Sequence, residues 1–197
     1  FSFLWDKLRG AGKEPVSPLK QAIGLVVIAI SYFILAHNVK DLGNSGLLAI
    51  KWLILLYFLQ TCGELCLSPI GLSLVGKLAP KRFASLLYGV FFISNAAGYA
   101  LAGTLGSIMP ATGDKFKKAE ELGINLQDVL DKKVTLSSAQ TELLTQNQIP
   151  LANHTFAGFE IHNLYEFFMV FVVLCGIAGI ILALISPFLK KMMHGVK

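Results

Sequence analysis

Charged residues and cysteines are scarce in this sequence, and each shortage excludes a class of protein. Charged residues make up 15% of the 197 residues, whereas hydrophobic residues make up 54%. A soluble domain of this length cannot bury that much apolar surface. The three cysteines, Cys62, Cys66 and Cys175, lie in apolar runs and lack the spacing of a disulfide framework or a zinc site, so no metal site is predicted. The composition therefore predicts a polytopic membrane protein.

The sequence also lacks the motifs of common catalytic sites. It contains no recognisable nucleophile–base set, glycine-rich phosphate loop or paired-carboxylate motif, so we predict no enzyme, no catalytic residue and no bound cofactor. The formal net charge of +5 does not indicate nucleic-acid binding, because the basic residues cluster at the ends of apolar runs. Basic residues in such places set the orientation of membrane helices.

Four apolar runs are long enough to cross a bilayer, although the first is at the short limit. A spanning helix needs about 20 predominantly apolar residues. In lipid, only helices and closed barrels satisfy the hydrogen bonds of the backbone, and these runs lack the alternation of a barrel strand. The sequence therefore predicts an all-α membrane fold with four spans. The runs cover residues 21–36, 52–76, 83–109 and 164–189.

Basic residues predict which ends of these helices face the cytoplasm. Three basic clusters precede the first run, separate the second from the third and follow the fourth, so all three fall on one side of a four-helix path. The positive-inside rule makes that side the cytoplasm. We therefore predict a multi-pass protein of the plasma (inner) membrane with a cytoplasmic C-terminus and an extracytoplasmic insertion over residues 110–163. The clusters are Lys7, Arg9, Lys13 and Lys20; Lys77, Lys81 and Arg82; and Lys190, Lys191 and Lys197.

The second run contains one acidic residue, Glu64, midway between Lys51 and Lys77. A charge at the centre of a bilayer costs about 2.5–3.5 kcal/mol, so such residues face a water-filled cavity or a partner. Steps of three and four residues put polar and small side chains on the face of Glu64. This predicted polar stripe comprises Tyr57, Gln60, Thr61, Glu64, Ser68 and Gly71.

Pro69 predicts a weak point in the same helix, because proline removes a backbone hydrogen bond and crowds the preceding turn. A flexible helix with a carboxylate at mid-membrane favours a transporter. The carboxylate of Glu64 could bind an amine or carry a proton. The alternative is a purely structural hydrogen bond between Glu64 and a neighbouring helix. In the third run, Asn95 is a polar exception near the middle, and we expect it to face the cavity or another helix.

The stretch "GELCLSPIGLSLVGKLAP" resembles the tenth helix of the proton-coupled oligopeptide transporter (POT/PTR) family, a branch of the major facilitator superfamily. The matching residues are Glu64, Ser68-Pro69, Gly71-Leu72-Ser73 and Lys77-Leu78-Ala79-Pro80, whereas Gly76 replaces a usual threonine. Three further stretches are similar to the family's eleventh helix, the end of its last helix and the end of its eighth. They are "LYGVFFISNAAGYALAG", "SPFLKKMMHGV" and "FSFLWDKL".

The resemblance implies a partial C-terminal bundle, with helices nine to twelve of a twelve-helix fold. The family's proton-coupling motif and its other helices would lie upstream of Phe1, in the same chain or in another one. The implied divisions are the end of the eighth helix and a cytoplasmic loop (1–20), three spanning helices (21–109), the extracytoplasmic insertion (110–163), the last span (164–189) and a cytoplasmic tail (190–197).

The resemblance also implies roles for individual residues. Glu64 would bind the amino terminus of the peptide, and Ser68 would lie beside it. Phe91 stands where many members have a tryptophan, so it would keep an aromatic wall without the indole N–H. Leu72 would belong to an inner gate. The polar stripe and the third run add Gln60 and Asn95 as substrate-binding residues, and Pro69 and Gly71 as hinge residues.

We therefore expect the C-terminal part of a symporter that takes up di- and tripeptides with protons as the coupling ion. The expected partners are these peptides, protons, the lipid bilayer and the missing N-terminal helices, but not nucleic acid. One alternative is a membrane scaffold or accessory subunit that does not transport. Another is the same fold carrying a different small solute such as nitrate, although an acid at the centre of the site argues against an anion.

Overall fold

The computed structural model describes residues 2–12, 14–40, 42 and 48–193. Four of its helices are long and apolar enough to span a membrane, so the prediction of an all-α membrane fold is confirmed. Lys13 and Lys197 of the predicted basic clusters lie outside the described residues. The helices are α1 (Ser2–Gly10), α2 (Ser17–Lys40), α3 (Ile50–Leu78), α4 (Ala84–Ser107), α5 (Gly113–Glu121), α6 (Leu126–Leu130), α7 (Ser138–Gln146) and α8 (Leu164–Met192), and a short 3-10 turn, Lys81–Phe83, precedes α4.

The first membrane-length helix is longer than its apolar run. Helix α2 begins at Ser17 and ends at Lys40, whereas the run covers residues 21–36. Pro18 is compatible with this start, because the first turn of a helix leaves its N–H groups without an intrahelical acceptor. His37 and Lys40 lie in the last turn, where a positive charge is favourable near the negative end of the helix dipole. The polar extensions carry the helix beyond its apolar centre.

Helix α2 packs against both α3 and α8, and glycines permit the close approach. A Cβ atom on Gly63 would lie 2.9 Å from the backbone oxygen of Gly24, so the two helices cross nearly backbone to backbone there. On the other side of α2, a Cβ atom on Gly179 of α8 would lie 3.3 Å from the Cβ atom of Leu25. Small residues at such crossings let membrane helices come close together.

Helix α4 is much less embedded than α2. Leu105 is its one buried residue. Its contacts with α3 include those of Phe91 with Gly71 and of Tyr88 with Gly76. Apolar side chains such as Ile93 and Leu101 are therefore exposed on the surface that the described residues form.

Residues 110–163 form a small folded unit of three short helices and a hairpin. Gly123, with a φ of +73°, follows the last turn of α5, a position that favours glycine. Strands β1 (His154–Phe156) and β2 (Phe159–Ile161) pair antiparallel, an addition to the predicted helices. The buried core of this unit comprises Ala111, Ala119, Ile124, Leu126, Val129, Leu130, Leu144 and Ile149.

A charge cluster ties α1 to the start of α2. The side chain of Glu14 is 5% exposed and accepts hydrogen bonds from Nε of Arg9 at 2.9 Å and from Nζ of Lys20 at 2.6 Å. Lys20 Nζ also lies 5.1 Å from the ring centroid of Trp5. The hydrogen bonds from Arg9 and then Lys20 lower the pKa of the Glu14 carboxyl from 4.5 to about 2. Glu14 is therefore an ionised carboxylate that holds two cations.

Candidate functional site

Glu64 lies in the middle of α3 with its side chain exposed. The face by which α3 packs within the chain is formed by Leu56, Gly63, Cys66 and Gly71, which are all buried. Glu64 has no hydrogen-bond or ion-pair partner among the described residues. The structural hydrogen bond considered as an alternative is therefore not made within the part of the chain that the structure describes.

The predicted polar stripe is divided between two environments. Tyr57, Thr61, Glu64 and Ser68 lie on the exposed surface of α3. The Thr61 hydroxyl donates to the backbone oxygen of Tyr57 at 2.8 Å, so part of its polarity is satisfied within the helix. Gly71 is instead buried at a contact between helices. An exposed polar row through Glu64 thus remains over about three helical turns.

Gln60 belongs to a second environment. It is half-buried and lies near the side chain of Tyr32 on α2. Gln60 also lines a cavity of about 820 Å³ that lies among α2, α3, α8 and the segment around the start of α5. Glu64, Ser68, Phe91 and Asn95 are not among its lining residues. The predicted substrate-binding residues are therefore not gathered around this cavity.

The predicted hinge and gate residues follow one another in a continuous helix. Helix α3 passes through Pro69 without a break. Because proline has no N–H, the backbone oxygen of Leu65 loses its usual partner four residues on. Gly71 is buried, and a Cβ atom there would lie 2.9 Å from Nε2 of Gln21 and 3.2 Å from Cε2 of Phe91. Leu72 remains 38% exposed. Their hinge and gate roles stay predictions.

On α4, Phe91 and Asn95 lie one helical turn apart but have different surroundings. Phe91 is half-buried, touches Gly71 and packs edge-to-face on Phe92 with ring centroids 5.8 Å apart. Asn95 is exposed. No hydrogen bond joins Asn95 to Glu64 or Ser68 among the described residues. The contact between Phe91 and Gly71 is thus the point at which predicted residues of two helices meet.

The packing face of α3 and the charged lining of the cavity were missed by the sequence reasoning. Polarity predicted a polar stripe on α3, but the helix packs through Leu56, Gly63, Cys66 and Gly71, of which only Gly71 belongs to that stripe. Asp114 and Lys117, which line the cavity, lie in a segment of ordinary polar composition. Nothing in the local sequence distinguishes them from other charged residues of that segment. In the described part of the chain, no group of three or more His, Cys, Asp or Glu side chains is arranged to hold a metal ion.

Comparison of the sequence with known proteins identifies its family. Residues 2–122 match the family model described as the POT family. The chain is 38% identical over 101 residues to a protein of Bacillus subtilis (strain 168) named "Uncharacterized transporter YclF", which covers 51% of this chain and 20% of that protein.

Two further relatives bear the name "Dipeptide and tripeptide permease A". The protein from Klebsiella pneumoniae (strain 342) is 35% identical over 92 residues, covering 47% of this chain and 18% of that protein. The protein from Chromobacterium violaceum is 35% identical over 100 residues, covering 51% and 20%. The matched part of the chain thus spans about a fifth of the length of these relatives. Because the family model covers more than half of the chain, the family resemblance of the sequence is confirmed: the chain belongs to the POT family of membrane transporters.

Proposed function

We propose that this chain is the C-terminal part of a proton-coupled importer of di- and tripeptides, in which Glu64 binds the amino terminus of the peptide. The observation that carries the proposal is an exposed carboxylate without a described partner in the middle of a membrane-length helix. Such a charge needs water or a cationic partner at that depth. The names of two relatives, which are dipeptide and tripeptide permeases, support the choice of substrate.

The other predicted residues would provide the remaining contacts with the peptide. The hydroxyl of Ser68 and the amides of Asn95 and Gln60 offer hydrogen bonds to the peptide backbone, and Phe91 offers an apolar wall to its side chains. Residues outside this chain would bind the carboxylate of the peptide. Pro69 and Gly71 would let α3 bend, and Leu72 would close the inner side of the path.

Proton coupling follows from the chemistry of a carboxylate that alternates between two environments. When Glu64 is ionised, it attracts the ammonium group of the peptide. On the inner side, a proton carried in with the peptide on the coupling motif upstream of this chain would pass to Glu64, release the peptide and then leave to the cytoplasm, so that proton and peptide move in the same direction. A cation beside a carboxylate favours its ionised form, whereas removal from water favours the neutral form. A cycle that changes both surroundings of Glu64 can therefore link peptide movement to proton movement across the inner membrane, with the C-terminus in the cytoplasm.

Uptake of a labelled dipeptide into vesicles under an imposed proton gradient tests the proposal. The full-length protein that contains this chain is compared with its Glu64→Gln variant, and Glu121→Gln on the exposed surface of α5 serves as the charge-matched control. We expect Glu64→Gln to lower uptake at least about tenfold, equivalent to about 1.4 kcal/mol. Glu121→Gln should leave it unchanged.

A competitor separates peptide recognition from a general loss of activity. An N-acetylated dipeptide has no ammonium group, so it should fail to compete with the labelled peptide in the unmodified protein. Normal uptake by Glu64→Gln would contradict the role of Glu64. Effective competition by the acetylated peptide would contradict recognition of the amine. A scaffold without transport would show no gradient-driven uptake in any variant, and nitrate carriage would appear as nitrate competition.

A further inference from the structure

The cavity that Gln60 borders has a defined place in the fold. It has a volume of about 820 Å³, within the range of about 300–1,000 Å³ that small-molecule sites occupy. We call it the α5 cavity, because the start of α5 forms one wall through Thr112, Gly113, Asp114 and Lys117. The C-terminal half of α2, the N-terminal half of α3 and the start of α8 form the others.

Three charged side chains line the α5 cavity: Lys40, Asp114 and Lys117. Nζ of Lys40 lies 5.5 Å from the ring centroid of Tyr165, which also lines the cavity. Asp114 and Lys117 have no ion-pair or hydrogen-bond partner among the described residues. The wall formed by α5 therefore presents one negative and one positive group, both available to a ligand of opposite charges.

The remaining lining suits a ligand with a polar backbone and variable side chains. Tyr57 and Gln60 offer hydrogen bonds where the cavity borders α3, and Tyr32 offers its hydroxyl from α2. Leu35 and Leu56, which are 3% and 8% exposed, form part of the apolar wall. Apolar walls with a few placed polar groups are typical of small-molecule sites.

The spacing of the charges fits a short peptide. Asp114 and Lys117 are three residues apart on α5, so their Cβ atoms are about 5–6 Å apart. The ends of an extended dipeptide lie at most about 7 Å apart, at about 3.3–3.6 Å per residue. Asp114 would repel a purely anionic ligand while Lys40 and Lys117 attract it, whereas a zwitterion can pair with the carboxylate and with the lysines at the same time.

We propose that the α5 cavity is a second binding site, distinct from Glu64, for short zwitterionic peptides. Asp114 binds the ammonium group and Lys117, with Lys40 nearby, binds the carboxylate. Gln60 lies one helical turn from Glu64, so a peptide that leaves the cavity along α3 reaches the face of Glu64. The choice of a peptide as the zwitterion rests on the proposed function, whereas the existence of the site rests on the cavity and its charges.

Amide hydrogen exchange of the purified full-length protein, with and without a dipeptide, tests the site locally. We expect the dipeptide to slow exchange of the amides of residues 112–118 in the unmodified protein. The slowing should persist in Glu64→Gln, which removes the other site, and should be lost in Asp114→Asn and in Lys117→Gln. Lys118→Gln is the matched control, because Lys118 is exposed and is not a lining residue.

Uptake kinetics give a second measurement. Lys117→Gln should raise the peptide concentration that gives half-maximal uptake at least threefold with little change in the maximal rate, since the capture step is weakened and Glu64 is intact. The C-amidated dipeptide has no carboxylate for Lys117 to bind. It should therefore not slow amide exchange at residues 112–118, either in the unmodified protein or in Lys117→Gln.

Three results would overturn the second site. The first is that the dipeptide does not slow amide exchange at residues 112–118 in the unmodified protein. The second is that this slowing disappears in Glu64→Gln. The third is that vesicles of phosphatidylglycerol slow the exchange and the dipeptide does not, which would make the cavity a lipid site. Absence of gradient-driven uptake together with peptide-dependent slowing at residues 112–118 would instead contradict only the proposed function.

Discussion

Single glycines decide where α2 and α3 touch. A Cβ atom on Gly63 would lie 2.5 Å from Cγ1 of Ile28 and 2.9 Å from the backbone oxygen of Gly24. The side chain of Ile28 can move, but the backbone oxygen can move only if the helices separate. We therefore expect Gly63→Ala to destabilise the protein by about 1–3 kcal/mol, the usual range for overpacking.

Thermal unfolding of the full-length protein in detergent measures this effect. Gly98→Ala is the matched control, because a Cβ atom on Gly98 of α4 would meet nothing within 4 Å among the described residues. Gly63→Ala should lower the unfolding temperature and Gly98→Ala should not. Equal temperatures for the two variants would mean that α2 and α3 do not cross at Gly63 as closely as described.

The carboxylate of Glu14 makes the α1–α2 junction sensitive to acid. Its pKa is lowered in the folded protein to about 2, first by the hydrogen bond from Arg9 and then by that from Lys20. A lowered folded pKa stabilises the fold above the unfolded value of 4.5, and this stabilisation is lost as the pH falls towards 2. We expect the protection of the amides of residues 14–20, measured relative to the intrinsic exchange rate at each pH, to fall over that pH window in the unmodified protein.

Glu14→Gln should remove this dependence and quicken exchange at neutral pH, because it leaves Lys20 without its anionic partner. Asp6→Asn is the control, since Asp6 is 63% exposed and lies 3.4 Å from Arg9. Exposed ion pairs contribute about 0–1 kcal/mol, so this variant should behave like the unmodified protein. A pH profile that Glu14→Gln leaves unchanged would assign the acid sensitivity to another group.

Among the elements, the unit of residues 110–163 depends on its own core. Leu144 on α7 is fully buried in that core, whereas its neighbour Leu143 is 42% exposed. Truncation of a buried leucine to alanine costs about 2–5 kcal/mol. We expect Leu144→Ala to quicken amide exchange throughout α5, α6 and α7, and Leu143→Ala to have little effect.

The same substitution links this core to the α5 cavity. Helix α5 carries Asp114 and Lys117 and contributes Ala119 to the core. Loosening the core should therefore weaken peptide-dependent protection at residues 112–118 without a change in either charged residue. Normal protection in Leu144→Ala would show that α5 is held by the membrane helices alone.

The elements also show how far the sequence predicts this fold. Hydropathy found the four membrane-length helices, because placing polar side chains in lipid has a large cost that leaves a clear pattern. It did not find the packing face of α3, since Gly63 and Gly71 contact residues that are distant in the sequence, such as Gly24 and Phe91, and a local pattern does not reveal them. The hairpin of residues 154–161 was missed because two strands of three residues are too short to show a period.

The sequence also predicts some residues of the candidate sites and misses others. Glu64 stood out because a charge in an apolar run is rare and costly. Asp114 and Lys117 did not, because charged residues in a polar segment are common and have no distinguishing local signal. Their importance depends on the fold, which brings the start of α5 against α2, α3 and α8.

For the molecule as a whole, the surroundings of the exposed side of α3 distinguish a peptide path from a surface that meets lipid. Ser68 and Glu64 lie on that side, whereas Phe58, which is 64% exposed, lies about a third of a turn around the helix from Glu64. If the proposed function holds, the polar row faces a water-filled path in the full-length transporter. We expect Ser68→Cys to react with a membrane-impermeant thiol reagent, and a dipeptide to slow that reaction.

This experiment requires a background in which the natural cysteines Cys62, Cys66 and Cys175 are replaced by alanine. Phe58→Cys is the control, because it lies on the same helix and on the exposed surface but belongs to the apolar side chains. It should react at least tenfold more slowly than Ser68→Cys if that surface meets lipid or another helix.

Equal reactivity of the two cysteines would mean that the polar row does not line a separate path. If a dipeptide leaves the reactivity of Ser68→Cys unchanged, the peptide binds elsewhere. Slowing by the peptide at Ser68 and at residues 112–118 together would support a route from the α5 cavity to Glu64.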